Sequence, residues 1–196
     1  MVLVSTGGMP QMVLEYILKE KGIDPDKDVN IIQNIDFGLT GEAFASGTGD
    51  YTVEFEPAAY KLEKEGKGHV VASLGVESGM VPYTAYSAKK SYIEKNPKII
   101  QSFTNAIQKG LDYVASHDSA DIAKVIQPQF KETDMTALVS IVERYRSQQT
   151  WKEDTVFKQE SFDLLQSILE KAGQLDKKAD YNLLVTTEFS TKAASK

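Results

Sequence analysis

Glycines and prolines punctuate the first half of this chain so closely that its alternating pattern constrains the fold more than any other feature. Over residues 1–87, short β-rich runs alternate with helix-like segments. Residues 2–4 form an apolar run that ends at Gly7-Gly8. Pro10 stands where a first helical residue often stands, because its missing N–H costs nothing there. Val13, Leu14, Ile17 and Leu18 then recur at helical spacing, and Gly22 supplies a stop. Residues 29–35 predict a second strand, residues 40–46 a short helix ended by Gly47 and Gly49, and residues 51–55 a third strand. Pro57 opens a helix that runs to Gly66, and residues 69–74 predict a fourth strand. Alternation of this kind predicts an α/β fold with a largely parallel sheet and crossover helices.

The second half changes texture and reads almost entirely as helix. Asn96-Pro97 starts one helix, with Ile99, Ile100, Phe103, Ile107, Leu111 and Val114 as a strong apolar stripe. Residues 118–126 predict a shorter one, ended at Gln127 by Pro128. Thr133 or Asp134 caps the next, which places Leu138, Ile141, Val142 and Tyr145 on one face. A last helix passes through Phe157, Phe162, Leu165, Ile168 and Leu169 to a stop at Gly173. The tail, residues 191–196, shows no pattern and is expected to fray.

Composition excludes several functions. The chain of 196 residues contains no cysteine, which removes thiolate metal sites, iron–sulfur clusters and cysteine nucleophiles. Twenty-eight acidic against 22 basic residues give a net charge of −6, which argues against binding nucleic acid through phosphate neutralisation. No apolar run approaches the roughly 20 residues of a membrane-spanning helix. The N-terminal residues carry no basic region followed by a long apolar core, so no signal peptide is expected in this chain.

Few residues carry candidate chemistry. Gly7-Gly8-Met9-Pro10 joins a strand to a helix: either a tight turn, or free helix N-terminal amides that cradle an anion or polar ligand. It matches neither G-x-G-x-x-G nor a P-loop. Glu54 and Glu56 are expected on the same side of an extended chain, at the strand end where parallel sheets open onto ligands. They read as an acid–base pair or, more simply, Glu56 serves the helix dipole that begins at Pro57. His69 and His117 stand alone, with no second ligand at zinc spacing and no triad partner, so neither a metal nor a catalytic residue is expected. Tyr83, Tyr86 and Tyr92 line a cleft or pack between the halves. Trp151, in a polar linker, is a core anchor or a lid.

The order of several short motifs carries a resemblance. Gly7-Gly-Met-Pro10, Asp36-Phe-Gly-Leu-Thr-Gly-Glu-Ala-Phe44, Gly49-Asp-Tyr-Thr-Val-Glu-Phe-Glu-Pro57, then Tyr83-Thr-Ala-Tyr-Ser-Ala88 and Lys95-Asn-Pro97 follow one another. The chain thereby resembles the substrate-binding proteins of ABC importers, in the group that takes aliphatic sulfonates, taurine and nitrate and includes NMT1/THI5-like members. The resemblance spans about residues 3–190 and rests on motif order rather than on any single motif.

The resemblance implies a periplasmic-binding-protein-like (type II) α/β fold, with a ligand trapped between two lobes. Residues 1–87 would form the complete second lobe, and residues 88–196 the hinge return and C-terminal helices of the first. Ligand contacts carry over to Gly8, Met9, Pro10, Thr40, Phe55, Glu56 and Tyr83, with no cofactor. Where sulfonate binders have an aromatic residue followed by Asp, this chain has Phe55-Glu56, and the carboxylate favours a ligand with an amine or ring N–H. The partners would be a small molecule and an ABC permease, at the outer cell surface or in the periplasm. The resemblance further implies that the front of the first lobe would be missing from this chain, so its helical stripes are expected to be covered by a second copy, by swapping or by rearrangement. Two further classes share the fold: a pyrimidine-synthase-like enzyme, disfavoured by the absence of cysteine, and a ligand-sensing effector domain, disfavoured by the absence of a basic helix-turn-helix segment.

Overall fold

A single central strand organises the sheet. In the computed structural model, which describes residues 1–4 and 7–195, β1 (Val2–Leu3) lies between β2 (Ile31–Ile32) and β3 (Tyr51–Thr52), both parallel to it. Val2 stands opposite Ile31 and Tyr51, and Leu3 opposite Ile32 and Thr52. The ladder continues beyond these pairs, since Val4 N–H donates to Ile32 O at 3.2 Å and Val53 N–H to Leu3 O at 2.9 Å. Flanked on both edges, Leu3 is fully buried and Val4 nearly so. Parallel order requires crossovers, and helices supply them, as the alternation predicts.

The helices begin where capping chemistry places them. α1 (Met9–Glu20) starts at Gly8 with Pro10 in its first turn. A 3₁₀ turn (Phe37–Leu39) leads into α2 (Thr40–Ala45), and α3 (Ala58–Lys64) follows Pro57. α4 (Leu74–Ser78) is capped by Ser73, whose hydroxyl accepts from Val76 N–H. α5 (Lys90–Lys95) precedes the long α6 (Pro97–Ser116), which Pro97 opens. Asp118 and Asp134 cap α7 (Ser119–Ile126) and α8 (Met135–Ser147), each accepting a first-turn N–H. α9 (Gln159–Lys171), α10 (Tyr181–Leu184) and α11 (Glu188–Ala194) complete the order.

Two expectations are corrected. Residues 69–74 do not form a fourth strand: among the described residues no ladder pairs with them, Leu74 already belongs to α4, Val70 and Val71 are exposed, and Val70 N–H is taken by the Glu63 carboxylate. The apolar run has strand propensity, but a strand needs a partner edge. The tail, by contrast, is not frayed over its described residues. α11 packs along α6, burying Phe189 and Ala193, and Gln101 Nε2 donates to Phe189 O at 3.0 Å. Lys196 lies outside the described residues, as do Ser5 and Thr6.

Helices of the second half cover those of the first. α9 rests on α1, where Val13, Ile17 and Ile168 form a buried cluster with Met9, Leu74 and Val81 packed against it. α8 meets α3 and α7, burying Ile122, Ala123, Leu138 and Val142. The stripe of α6 is only partly covered, since Ile99 and Phe103 remain exposed.

Candidate functional site

All three strands are parallel, so their C-terminal ends open on one edge of the sheet, where α/β folds place ligands. β1 leads there toward Gly7 and Gly8, β2 toward Phe37, and β3 toward Phe55. The Phe55 ring stands between two others. Phe37 meets it edge-on, with centroids 5.5 Å apart, and Tyr83 meets it tilted, also at 5.5 Å. Such spacings lie in the favourable range for aromatic pairs. Phe37, Phe55 and Tyr83 are 45%, 38% and 60% exposed, and Leu39, two residues after Phe37, is exposed as well. An open row of apolar rings on this edge is the surface expected of a binding site rather than of a finished core.

Each expected contact has a definite place. Thr40 is fully buried, and its hydroxyl donates to Phe37 O at 2.9 Å, which fastens the turn that presents the Phe37 ring. Gly8 and Pro10 are half-buried at the start of α1, while the Met9 side chain packs on the α1–α9 cluster. Gly7 has φ 72°, and its N–H donates to Gln11 Oε1 at 2.8 Å. Val81 packs into the same cluster, and Tyr83, two residues on, reaches Phe55. The segment around residue 82 therefore links the α1–α9 cluster to the aromatic ring that follows β3.

Glu54 and Glu56 part company. β3 ends at Thr52, so strand periodicity does not extend to them. Glu54 accepts from Thr52 Oγ1 at 2.7 Å and lies against Gly41 of α2. The Glu56 side chain is only 5% exposed. Its Oε1 accepts from Arg144 Nη1 at 2.5 Å and its Oε2 from Tyr60 N–H at 2.9 Å, so both oxygens are committed within the chain. Arg144 Nη2 also donates to Glu63. The Val70 N–H and then the Arg144 guanidinium hold the Glu63 carboxyl below its ordinary range. Tyr145 Oη accepts from Glu56 N–H at 3.4 Å, and burial pushes the Tyr145 phenol upward. Trp151 meets Tyr145 edge-on at 6.0 Å.

The remaining candidates lie apart from this edge. His69 is exposed. His117 stacks on Tyr113 at 3.7 Å, and its Nδ1 lies 2.9 Å from Tyr113 O and 3.0 Å from Ser116 Oγ. That serine hydroxyl donates to Asp112 O at 2.7 Å, as an ordinary helix-end serine does. Tyr86 packs edge-on against Phe103 of α6, and Tyr92 is exposed. Among the described residues no group of three or more His, Asp or Glu is placed to hold a metal ion, and no helix is long and apolar enough to cross a membrane.

Two participants had no role in the sequence reading. Phe37 sits inside a quoted motif, yet nothing local shows that its ring meets Phe55. Arg144 lies 88 residues from Glu56. No local signal marks it: Glu63 belongs to α3 but Glu56 precedes that helix, so helical spacing does not pair the two carboxylates.

Residues 1–127 match the NMT1-like family. Over 189 residues the chain is 47% identical to YtlA of Bacillus subtilis (strain 168), a protein named as a candidate binding protein. The match covers 96% of this chain and 57% of YtlA, so the chain spans little more than half the length of that relative.

Proposed function

The chain belongs to the NMT1-like family, and on that footing we propose that it serves as the solute-binding component of an ABC importer. It takes a small organic molecule on the C-terminal edge of the sheet and, in the two-lobed arrangement that the resemblance implies, delivers it to a permease from the outer cell surface or the periplasm. The observation that supports this reading is the row Phe37–Phe55–Tyr83, open to solvent where parallel strands end. The name of the YtlA relative points the same way.

Among sulfonates, nitrate and thiamine-pyrimidine-type precursors, the row favours a ligand with a planar or apolar body over a bare anion. Rings supply contact area and stacking, worth about 0.5–1.5 kcal/mol per aromatic pair beyond burial. Gly8, Met9 and Pro10 contribute backbone at the start of α1, and Phe55 and Tyr83 contribute side chains. Thr40 and Glu56 shape the face from beneath, since their polar atoms are engaged within the chain. Catalysis has no part in this reading.

The test is calorimetric titration with taurine, nitrate and an aminopyrimidine, on the wild type and on Phe55→Ala. The expected result is binding of the ring compound, weakened about tenfold by the substitution, equivalent to roughly 1.4 kcal/mol. Binding of nitrate or taurine alone, indifferent to Phe55→Ala, would overturn the reading.

A further inference from the structure

Arg144 holds both ends of α3. Through Glu56 it reaches the entry, where Glu56 Oε2 also binds Tyr60 N–H, and through Glu63 it reaches the exit, where Glu63 Oε1 binds Val70 N–H at 2.9 Å. One guanidinium thus serves two carboxylates, each of which also holds a backbone amide. This planar fork fixes orientation as well as distance, which a lysine ammonium does not. The next residue, Tyr145, takes the backbone N–H of the same Glu56. Glu56 is therefore gripped by α8 through both its side chain and its main chain.

Phe55 immediately precedes Glu56 and carries the middle ring of the aromatic row. Its carbonyl accepts from Ala59 N–H at 3.1 Å, inside the same α3 entry. Where the Phe55 ring stands relative to Phe37 and Tyr83 is inherited from how Glu56 is held. We propose that Arg144 is the positioning residue of the ligand face: acting through Glu56 from α8, it sets the Phe55 ring and hence the affinity for a ring-bearing ligand that it does not touch. The proposal rests on the reading that ligand binds at the aromatic row.

A second tie makes the proposal separable from simple stability. Lys64 Nζ pairs with Asp134 at 3.1 Å, also between α3 and α8, but away from Glu56. Lys64→Ala loosens the same helix pair and leaves the grip on Glu56 intact. The experiment titrates the aromatic dye 8-anilinonaphthalene-1-sulfonate into wild type, Phe55→Ala, Arg144→Lys, Arg144→Gln and Lys64→Ala, well below their unfolding temperatures. Emission of Trp151, which rests on Tyr145 of α8, checks that α8 stays folded in each variant. The component of dye binding lost in Phe55→Ala reports the row and removes the contribution of other exposed apolar faces.

The expected result is that this component weakens about 3- to 10-fold in Arg144→Gln and less in Arg144→Lys, a range of roughly 0.6–1.4 kcal/mol. Lys64→Ala keeps wild-type affinity. Wild-type affinity in both Arg144 variants, or an equal loss in Lys64→Ala, overturns the positioning role while leaving the ligand face standing. Dye binding that is the same in Phe55→Ala and wild type removes the ligand face itself, and the positioning role with it.

Discussion

Gly49 and Leu3 meet so closely that a methyl group on the glycine would stand 2.3 Å from Leu3 Cδ1. Leu3 is fully buried in the central strand and has nowhere to swing, and Gly49 holds φ 82° just before β3. Gly49→Ala therefore combines a strained backbone with overpacking, and is expected to cost about 2–4 kcal/mol. Urea denaturation measures it; a shift below about 0.5 kcal/mol would mean that the sheet relaxes around the methyl group.

Gln108 is the buried residue of α6, and its amide stitches the helix to a loop. Its Nε2 donates to Asp112 Oδ1 at 2.9 Å and to Glu153 O at 3.1 Å, and its Oε1 accepts from Thr155 N–H at 3.0 Å. Gln108→Leu keeps most of the volume and strands both backbone groups, a loss of about 2–3 kcal/mol. Gln166 makes the same kind of clamp, with both of its bonds to Ala179. Thermal unfolding of the two Leu variants should show similar losses.

Glu63 makes stability fall in acid. Its folded carboxyl sits below the ordinary value of 4.5, first because of Val70 N–H and then because of Arg144. On acidification the unfolded chain takes up the proton first, so the contribution is complete above that ordinary value and disappears as pH falls through the lowered one. Denaturation of wild type and Glu63→Gln across this acid range should show their difference shrinking toward low pH. A difference that stays constant would contradict the assignment.

Phe189 anchors α11 on α6. Phe189→Ala removes a buried ring and is expected to cost about 3 kcal/mol. Hydrogen exchange should speed up across α11 and at the α6 amides beneath it, and leave β1 and α1 protected.

Helix boundaries were legible because their causes are local. Pro97, Asp118 and Asp134 start helices by chemistry that involves only their next few residues, and Gly22 and Gly173 follow α1 and α9 with φ 76° and 67°. The failures are nonlocal. Residues 69–73 have the propensity of a strand but no partner edge, and α11 offers little beyond Phe189 and Ala193, four apart, until α6 lies under it. The same division runs through the site. The resemblance singled out Phe55 and Tyr83 one at a time, whereas the meeting of Phe55 with Phe37 and the Arg144 grip on Glu56 depend on how distant segments return to one another. The Glu54–Glu56 pairing failed because β3 ends at Thr52, three residues short of the expected strand.

The parallel sheet also imposes an order on synthesis. β1, β2 and β3 all lie within residues 2–52, so a growing chain can close the sheet while its later helices are still unmade. The apolar face of α1 is covered in two stages: Leu74 and Val81 can pack on it early, but Ile168 comes far later, and Lys171 of α9 reaches Glu20 across 151 residues. Val13 and Ile17 therefore stay incompletely covered until α9 is made. A nascent-chain chaperone would find a durable target there, on the part of α1 that only α9 covers.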